Sequence, residues 1–381
     1  MRRSSWIAAV AASLAAACAP AQENAGDDWL VSREGLCYGY APGTGDPKQP
    51  RLIAFDEEGN PTVAGRDASF VANRGGGLIP RGTARYDHHF GMATLQGSFL
   101  AASGANRIVQ ACKESGMFTF LAWVSPPKGP LAEEGTLLWL GPTSGTPNFE
   151  LIQKGREVTV RLRVAGEGSA KDVRKTVFVR PDDRPYPLAV IISNGVLRVG
   201  VDGAVAFTET LGGDLSRWRA SELVFGDAYQ PGRNWPGKLE ALAFYSRALG
   251  DAEIQQQRTR LQTLLQSRKL PPRVRVKAKL TAQSRIPEPE SIKPYYQALS
   301  LFQYAVEEVL EGEVKGDVVA VAHWVVMDSQ KLPIGERKVG DTFELTLEPY
   351  DLNPQLKTDY WVLSDLDDPD LPVWFDVAGV P

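Results

Sequence analysis

The sequence predicts an all-β protein with two domains, a large antiparallel sandwich followed by a smaller β-rich domain. The 381 residues include 36 glycines and 27 prolines, and the apolar runs between them are short, as in chains with many turns. Residues 157–164 alternate apolar with charged or polar residues, so one face lies in a core and the other in water. An Asn194-Gly195 pair between two apolar runs predicts a tight hairpin.

Length and charge narrow the possible functions. The chain is long enough for two domains, each with its own core. Its 46 acidic residues and 42 lysines and arginines are interspersed rather than blocked. No basic stripe with interleaved aromatic residues is present, so we expect no nucleic-acid partner.

The first residues have the features of an export signal. A positive start precedes a short apolar core at residues 6–14, which is too short to remain as a membrane-spanning helix. Two cleavage sites stay open. Either the signal ends at Ala17 and Cys18 carries a lipid, or residues 1–21 are removed and the protein is free. We predict an exported protein that is periplasmic, a cell-envelope lipoprotein or secreted, with membrane contact only through a lipid anchor at Cys18.

Cys37 and Cys112 would be the cysteines that remain after lipidation or removal of Cys18. In an oxidising compartment a disulfide between them can persist, and closing the long segment would stabilise the fold by about 2–4 kcal/mol. The alternative is two buried free thiols, since free cysteine packs as a small hydrophobic residue. Both alternatives stay open at this stage.

The elements of the first domain follow from apolar patterns bounded by turn residues. We predict strands and a short helix in this order: strands at 29–40, 51–55 and 97–102, a helix at 105–113, then strands at 117–126, 150–153, 157–164, 186–203 as a hairpin, 223–227 and 234–249. Asp251 is placed as the N-cap of an amphipathic helix that stops near Lys269, because Pro271 and Pro272 cannot continue it. The first domain therefore spans 29–268.

The segments 117–126, 186–203 and 223–254 stand in an order that resembles the laminin G-like, or concanavalin A-like lectin/glucanase, jelly roll. The resemblance implies a jelly-roll sandwich with a C-terminal helix, and a fold better known for binding than for catalysis. It names no ligand. Within the first of these strands Trp123 alternates with Leu121, which predicts that Trp123 lies in the core.

A linker at 269–272 leads to the second domain, 273–381. Residues 273–280 alternate with basic residues on one face, and long strands are predicted at 298–310 and 317–326 around a glycine-containing turn. Further strands are predicted at 339–348 and 373–377. This order resembles small OB-like barrels, and a plain β-sandwich is the alternative.

The resemblance also suggests sites. Laminin G-like domains often hold calcium through loop carboxylates and carbonyl oxygens, and it places Asp227 and Asp202 near such loops. The Asp202-Gly203 pair is equally explained as a turn between strands. No cofactor is required by the sequence, and calcium is the one candidate.

Aromatic residues in loops are candidates for sugar binding. Trp235 and Tyr229 lie in or beside the loop at 230–236, with inward packing as the alternative for Trp235. The pair His88-His89 suggests a metal site, but adjacent residues on a regular strand point to opposite faces. We therefore expect a polar role at a surface or loop edge for both histidines.

No pattern of catalytic residues is recognisable. A Glu-x-Asp-x-x-Glu strand and a Gly-x-Ser-x-Gly motif are both missing from the sequence. We predict a protein that is not an enzyme: a non-catalytic binding protein of the envelope or the exterior, recognising a carbohydrate or a protein surface. The alternatives are a polysaccharide-active enzyme, such as a glycoside hydrolase or lyase, and a structural envelope protein. Two carboxylates facing each other in a groove would favour the enzyme.

Overall fold

The structure is a computed structural model. It describes residues 29–41, 51–55, 61–63, 78–102, 104–357 and 361–379. Cys18 and the export signal lie outside the described residues. Two α-helices are described, α1 (Ala105–Ser115) and α2 (Asp251–Gln266), together with four short 3₁₀ turns, and most of the remaining elements are strands. No described helix has the length and apolar character needed to cross a bilayer.

The first domain is a sandwich of two sheets. Ten described strands form sheet A: β1 (Leu36–Ala41), β2 (Arg51–Phe55), β3 (Pro61–Val63), β5 (Arg85–Tyr86), β6 (Met92–Ala93), β8 (Phe118–Ser125), β13 (Tyr186–Ser193), β14 (Val196–Val201), β15 (Ala204–Thr210) and β17 (Lys238–Tyr245). Seven form sheet B: β4 (Leu78–Gly82), β7 (Gly97–Ala101), β9 (Leu131–Gly141), β10 (Phe149–Gly155), β11 (Glu157–Ala165), β12 (Ala170–Val179) and β16 (Glu222–Phe225).

The order of the strands confirms the jelly roll. Sheet A runs β15-β14-β13-β8-β17-β1-β2-β3, with β6 beside β17 and β5 beside β6. Sheet B runs β12-β11-β10-β9-β16-β7-β4. The predicted hairpin joins β13 to β14 with Ser193 opposite Val196, and both turn residues, Asn194 and Gly195, have positive φ. Such a two-residue turn matches the twist of the paired strands.

Side chains between the two sheets form the main core. Phe118, Phe120 and Val124 of β8 point into it and meet Phe149 of β10 and Phe225 of β16. All five side chains are fully buried. Burying apolar area on this scale is the dominant stabilising term for a domain of this size.

The outer face of sheet A carries a second apolar cluster, which corrects the position predicted for Trp123. Leu121 and Trp123 point away from the sandwich core and pack beneath α2, beside Leu261 and Leu265 of that helix. Trp123 keeps part of its surface exposed. Leu121 and Trp123 share one face of β8, as predicted. That face is the outer one, covered by α2. Because β8 is apolar on both faces, its sequence did not indicate which face lies in the sandwich core.

The second domain is a closed barrel. Sheet C contains β18 (Val274–Gln283), β19 (Ala298–Glu311), β20 (Val318–Met327), β21 (Gln330–Lys331), β22 (Thr342–Pro349), β23 (Trp361–Leu363) and β24 (Val373–Asp376). Five of them close a ring in the order β18-β19-β20-β24-β22, with β22 paired back to β18. Only the β20–β24 pairing in this ring is parallel. This is the strand arrangement of an OB-type barrel, so the barrel, and not the plain sandwich, is confirmed.

The two domains meet near the turn after β4. The backbone N–H of Gly82 donates to Asp328 Oδ2 of the barrel at 2.9 Å. Between them, α2 ends at Gln266 and β18 begins at Val274, so residues 267–273 connect the helix to the barrel.

Candidate functional site

A polar turn at residues 87–91 forms one wall of a cleft on the outer face of sheet A. Asp87 Oδ1 accepts hydrogen bonds from the backbone N–H groups of His89 at 2.9 Å and Gly91 at 2.8 Å. The buried hydroxyl of Tyr40 donates to the carbonyl of Phe90 and holds the turn from the sheet side. These bonds fix the backbone that carries both histidines.

Gly91 makes room for buried carboxylates beside this turn. A Cβ atom at this position would lie 2.8 Å from Glu240 Oε2 and 2.9 Å from Asp87 Oδ2. Contacts that close do not occur for real Cβ atoms, so a side chain here would displace one of the carboxylates. The close approach also places Asp87 and Glu240 within a few ångströms of one another.

Two basic side chains connect these acids. Lys238 Nζ donates to Asp87 Oδ2 at 2.8 Å and also contacts Glu240 Oε1, its neighbour two positions along β17. Burial disfavours the charged amine, but the two carboxylates outweigh it and raise the pKa of Lys238. Arg268, just past the end of α2, donates from Nη1 to Glu240 Oε2 at 2.6 Å. All four carboxylate oxygens therefore have donors.

The guanidinium of Arg268 has two nitrogen donors without described partners. Its side chain is only 8% exposed. Nε and Nη2 are both buried, and neither has a hydrogen-bond partner among the residues that the structure describes. These two N–H groups form the edge of the guanidinium that can bind a carboxylate through two parallel hydrogen bonds.

His88 and His89 lie side by side in the turn, with ring centroids 4.1 Å apart. The expectation that they diverge assumed a regular strand, and the turn corrects it. His89 is 5% exposed, and neither of its ring nitrogens has a described partner; nor does Nε2 of His88. Burial lowers the pKa of His88 and, with the neighbouring imidazole, lowers the pKa of His89 to about 4. Both rings are therefore neutral at pH 7.

These groups line a cleft of about 600 Å³, hereafter the Arg268 cleft. Trp123 and Ser125 of β8 form its floor, and the last turns of α2 with Leu270 form the opposite wall. It combines a partly exposed indole with buried polar groups. A flat aromatic face beside hydrogen-bonding side chains is the combination that saccharides require, because a sugar ring has apolar faces and a polar rim.

Trp123 also lines a second cavity of about 330 Å³ between sheet A and the first turns of α2, hereafter the helix cavity. Its walls are mainly apolar and include Leu121, Ala189, Ile191 and Ile254. Polar side chains also line the helix cavity, among them Arg198, Gln257 and Arg258, but they are fewer than in the Arg268 cleft.

The outer face of sheet B has a buried charge cluster of another kind, hereafter the Glu150 cluster. Glu150 is fully buried and accepts from the hydroxyl of Thr136 at 2.9 Å and from the guanidinium of Arg233. Arg161 Nη1 lies 3.6 Å from its other oxygen. Burial raises the pKa of Glu150 even though the arginines oppose it. A carboxyl group enclosed in this way is out of reach of a substrate.

The aromatic residues proposed from sequence have different positions. Trp235 is fully buried, and its indole N–H donates to Gln153 Oε1 at 2.8 Å. A ring without exposed surface cannot stack on a ligand, so the structure shows the packing alternative. Tyr229 is partly exposed, and the Arg81 guanidinium lies 5.8 Å from its ring centroid.

The two aspartates proposed for calcium are apart in the fold. Asp227 is 6% exposed and caps its own loop, accepting from the backbone N–H groups of Ala228, Arg233 and Gly232 at 2.7, 2.8 and 3.2 Å. Asp202 sits with φ 54° in the tight turn between β14 and β15, on the other sheet. The described residues contain no group of three or more His, Cys, Asp or Glu placed to hold a metal.

Cys37 and Cys112 are both buried and both free. A hydrogen bond between the two thiols lowers the pKa of Cys37 and, together with burial, raises the pKa of Cys112 well above its usual range. The two thiols lie as neighbours in the main core, and a disulfide between them stays a prediction.

Sequence reasoning did not find the Arg268 cleft. Lys238 and Glu240 occupy alternate positions of a predicted strand, and this was the one available signal. Arg268 follows a helix without any pattern around it, and its partner Glu240 lies 28 residues earlier. Only the docking of α2 on sheet A brings the two together.

The comparison with protein families identifies the fold of the first domain. Residues 101–255 match the profile of the laminin G-like family described as the concanavalin A-like lectin/glucanases superfamily. The chain carries a laminin G-like domain. The match covers the sandwich from the end of β7 to the first turn of α2. No curated protein matches the sequence.

Solved structures resemble this laminin G-like domain only distantly. The CBM40 domain of the Ruminococcus gnavus IT-sialidase is 15% identical, covering 38% of this chain and 84% of its own, with a TM-score of 0.31. Domain 4 of AbnA, a GH43 extracellular arabinanase from Geobacillus stearothermophilus, is 15% identical over 50% and 92%, with a TM-score of 0.36. The receptor-binding domain of botulinum neurotoxin type G is 12% identical over 77% and 66%, with a TM-score of 0.39.

Proposed function

We propose that this is a non-catalytic binding protein, exported to the envelope or the exterior, whose laminin G-like domain binds a carbohydrate in the Arg268 cleft. The observation that carries the proposal is the cleft itself, which sets the partly exposed ring of Trp123 beside buried polar groups with unused hydrogen-bonding capacity. Binding sites are mostly apolar concavities with a few convergent polar groups, and this cleft has that composition.

Paired strands and a hydrogen-bonded turn form much of the cleft. Trp123 and Lys238 lie on adjacent paired strands, β8 and β17, and Asp87 fixes the backbone of the turn that bears the histidines. A preformed site loses little conformational entropy when its ligand binds. A loop-mediated site at Tyr229 is the competing location, because that side chain is partly exposed on the sheet B side.

The test is binding of the mature protein to a glycan array, with calcium and with a chelator, followed by titration of the best ligand. We expect Trp123→Ala to lose about tenfold or more in affinity, which corresponds to about 1.4 kcal/mol. Tyr229→Ala serves as the matched control and should bind like the wild type. Trp123→Phe retains an aromatic face and should recover part of the affinity.

The opposite pattern, with Tyr229→Ala losing binding and Trp123→Ala retaining it, would move the site to the other sheet. An absence of glycan binding under both conditions would overturn the proposal in favour of a protein partner or a structural role. Thermal melting of each variant separates loss of binding from loss of fold.

A polysaccharide-active enzyme is the second candidate, and one observation favours it. Asp87 and Glu240 both line the cleft and share Lys238, so two carboxylates stand close together in a groove, as glycoside hydrolases require. The environment of Asp87 argues against the role of acid: burial raises the pKa of its carboxyl group, but Lys238 and the backbone N–H of Gly91 together outweigh burial and lower it. Release of new reducing ends from an array ligand, lost in Glu240→Gln, would establish the enzyme.

A further inference from the structure

The unused hydrogen-bonding groups of the Arg268 cleft are mainly donors. Asp87 and Glu240 have donors on all four oxygens. Arg268, in contrast, leaves Nε and Nη2 unpartnered, and the two neutral imidazoles leave further ring nitrogens free. A ligand that completes this site must supply acceptors.

The geometry of Arg268 indicates which kind of acceptor the ligand supplies. Nη1 is already committed to Glu240, which holds the guanidinium plane in place. The edge formed by Nε and Nη2 remains, and its two parallel N–H bonds match the two oxygens of a carboxylate. Buried donors without partners destabilise a fold, so this edge requires an acceptor such as ordered water or a ligand group.

Another arginine of the same domain shows what an occupied edge looks like. Arg247 donates from Nη1 and Nη2 to the two oxygens of Glu253 at 2.8 and 2.5 Å, and from Nε to the carbonyl of Glu34 at 2.7 Å. The guanidinium of Arg247 is thus paired with a carboxylate of the same protein. The edge of Nε and Nη2 holds a carboxylate in Arg161, which donates from both nitrogens to Asp172. The same edge of Arg268 is more deeply buried and has no described carboxylate in front of it.

We propose that the ligand of the Arg268 cleft is an acidic saccharide, whose carboxylate is bound by Nε and Nη2 of Arg268 while its ring packs on Trp123. His88 and His89, neutral and next to the arginine, donate to or accept from the hydroxyl groups of the same sugar. This inference rests on the proposed function and adds the chemical class of its ligand.

The experiment compares two matched probes on the wild-type protein by calorimetric titration: an oligosaccharide containing glucuronic acid, and the same oligosaccharide after reduction of the carboxyl group to an alcohol. We expect the acidic form to bind about tenfold tighter or more, because only a carboxylate uses both N–H groups as a charged pair. This comparison needs no substitution and does not depend on the folding of a variant.

The variant Arg268→Lys then assigns the difference to the side chain. Lysine retains a positive charge for Glu240 but lacks the pair of parallel N–H donors. The preference for the acidic form should therefore fall to less than about threefold. The matched control Arg247→Lys, outside the cleft, should retain the full preference.

Each outcome separates the two proposals. Binding of both probes with equal affinity would overturn the inference and leave carbohydrate binding in place. A preference for the acidic form that persists in Arg268→Lys would also overturn it, since another cation would then be responsible. Failure to bind either probe, in a protein that binds neutral glycans on the array, would likewise exclude acidic saccharides, whereas failure with all glycans would remove the proposed function itself.

Discussion

The two buried charge clusters on the outer faces of the sandwich differ in which group lacks hydrogen-bond partners. In the Glu150 cluster one buried carboxylate is surrounded by Thr136, Arg161 and Arg233, so donors converge on a single acceptor. In the Arg268 cleft every carboxylate oxygen has a donor and the cation has free N–H groups. In the first arrangement Oε2 of Glu150 is the atom without a hydrogen-bond partner among the described residues, and Arg161 Nη1 lies 3.6 Å from it. For the second, we propose that a ligand supplies the missing acceptors.

The comparison predicts different costs for removing one arginine from each cluster. Arg233→Met leaves the fully buried Glu150 with Arg161, at 3.6 Å, as its only cation among the described residues, and an incompletely paired buried charge is strongly destabilising. We expect the free energy of unfolding to fall by about 3 kcal/mol in urea denaturation. A loss below about 1 kcal/mol would show that Glu150 does not depend on this arginine.

Arg268→Met should cost less. Glu240 keeps Lys238 as a partner, and the substitution also removes two buried donors that have none. We expect a loss of about 1 kcal/mol, measured in the same urea titration. If this variant loses as much as Arg233→Met, then Arg268 is a structural residue like Arg233, and the contrast between the clusters fails.

The buried histidines of the Arg268 cleft predict that the stability of the protein depends on pH. The pKa of His89 is held at about 4 in the folded protein, so between pH 6.5 and 4 the unfolded chain binds a proton that the folded chain does not. Stability contributed by this residue is complete above pH 6.5 and is lost as the pH falls toward 4. In thermal melts His89→Asn should lessen the acid destabilisation by on the order of 1 kcal/mol. An unchanged pH profile would contradict this assignment.

The smallest effect concerns calcium. Asp227 is already satisfied by three backbone N–H groups of its own loop, so it offers a poor ligand for a cation. We expect that calcium or a chelator shifts the melting temperature of the mature protein by less than about 1 °C. A shift of several degrees that Asp227→Asn abolishes would establish a calcium site there.

The strand pattern of this chain could be predicted largely from local signals. Asn194 and Gly195 determine a two-residue turn and hence the register of β13 against β14, and the turn around Gly312 and Gly316 separates the two long strands of the barrel. Both features depend on residues close in sequence. The closing of sheet C into a ring does not, because it requires the pairing of β22 with β18 about 70 residues apart.

The site was less predictable because it depends on one packing event. Trp123 has apolar neighbours on both faces of β8, so its direction was undetermined until α2 was placed. The same helix brings Arg268 to Glu240. Trp235 shows the converse, since a loop position with flanking glycine and proline suggested exposure, whereas its N–H is matched by Gln153 inside the sandwich.

The family match ends at residue 255, although α2 continues to Gln266 and Arg268 lies beyond it. Trp123, Lys238 and Glu240 therefore lie within the matched segment, whereas Arg268 lies beyond its end. The arginine that we expect to select the ligand is thus positioned by the docking of α2 on sheet A, and not by the matched strands. A protein shortened at residue 255 would lose Arg268 together with most of α2, which covers the outer apolar cluster of sheet A.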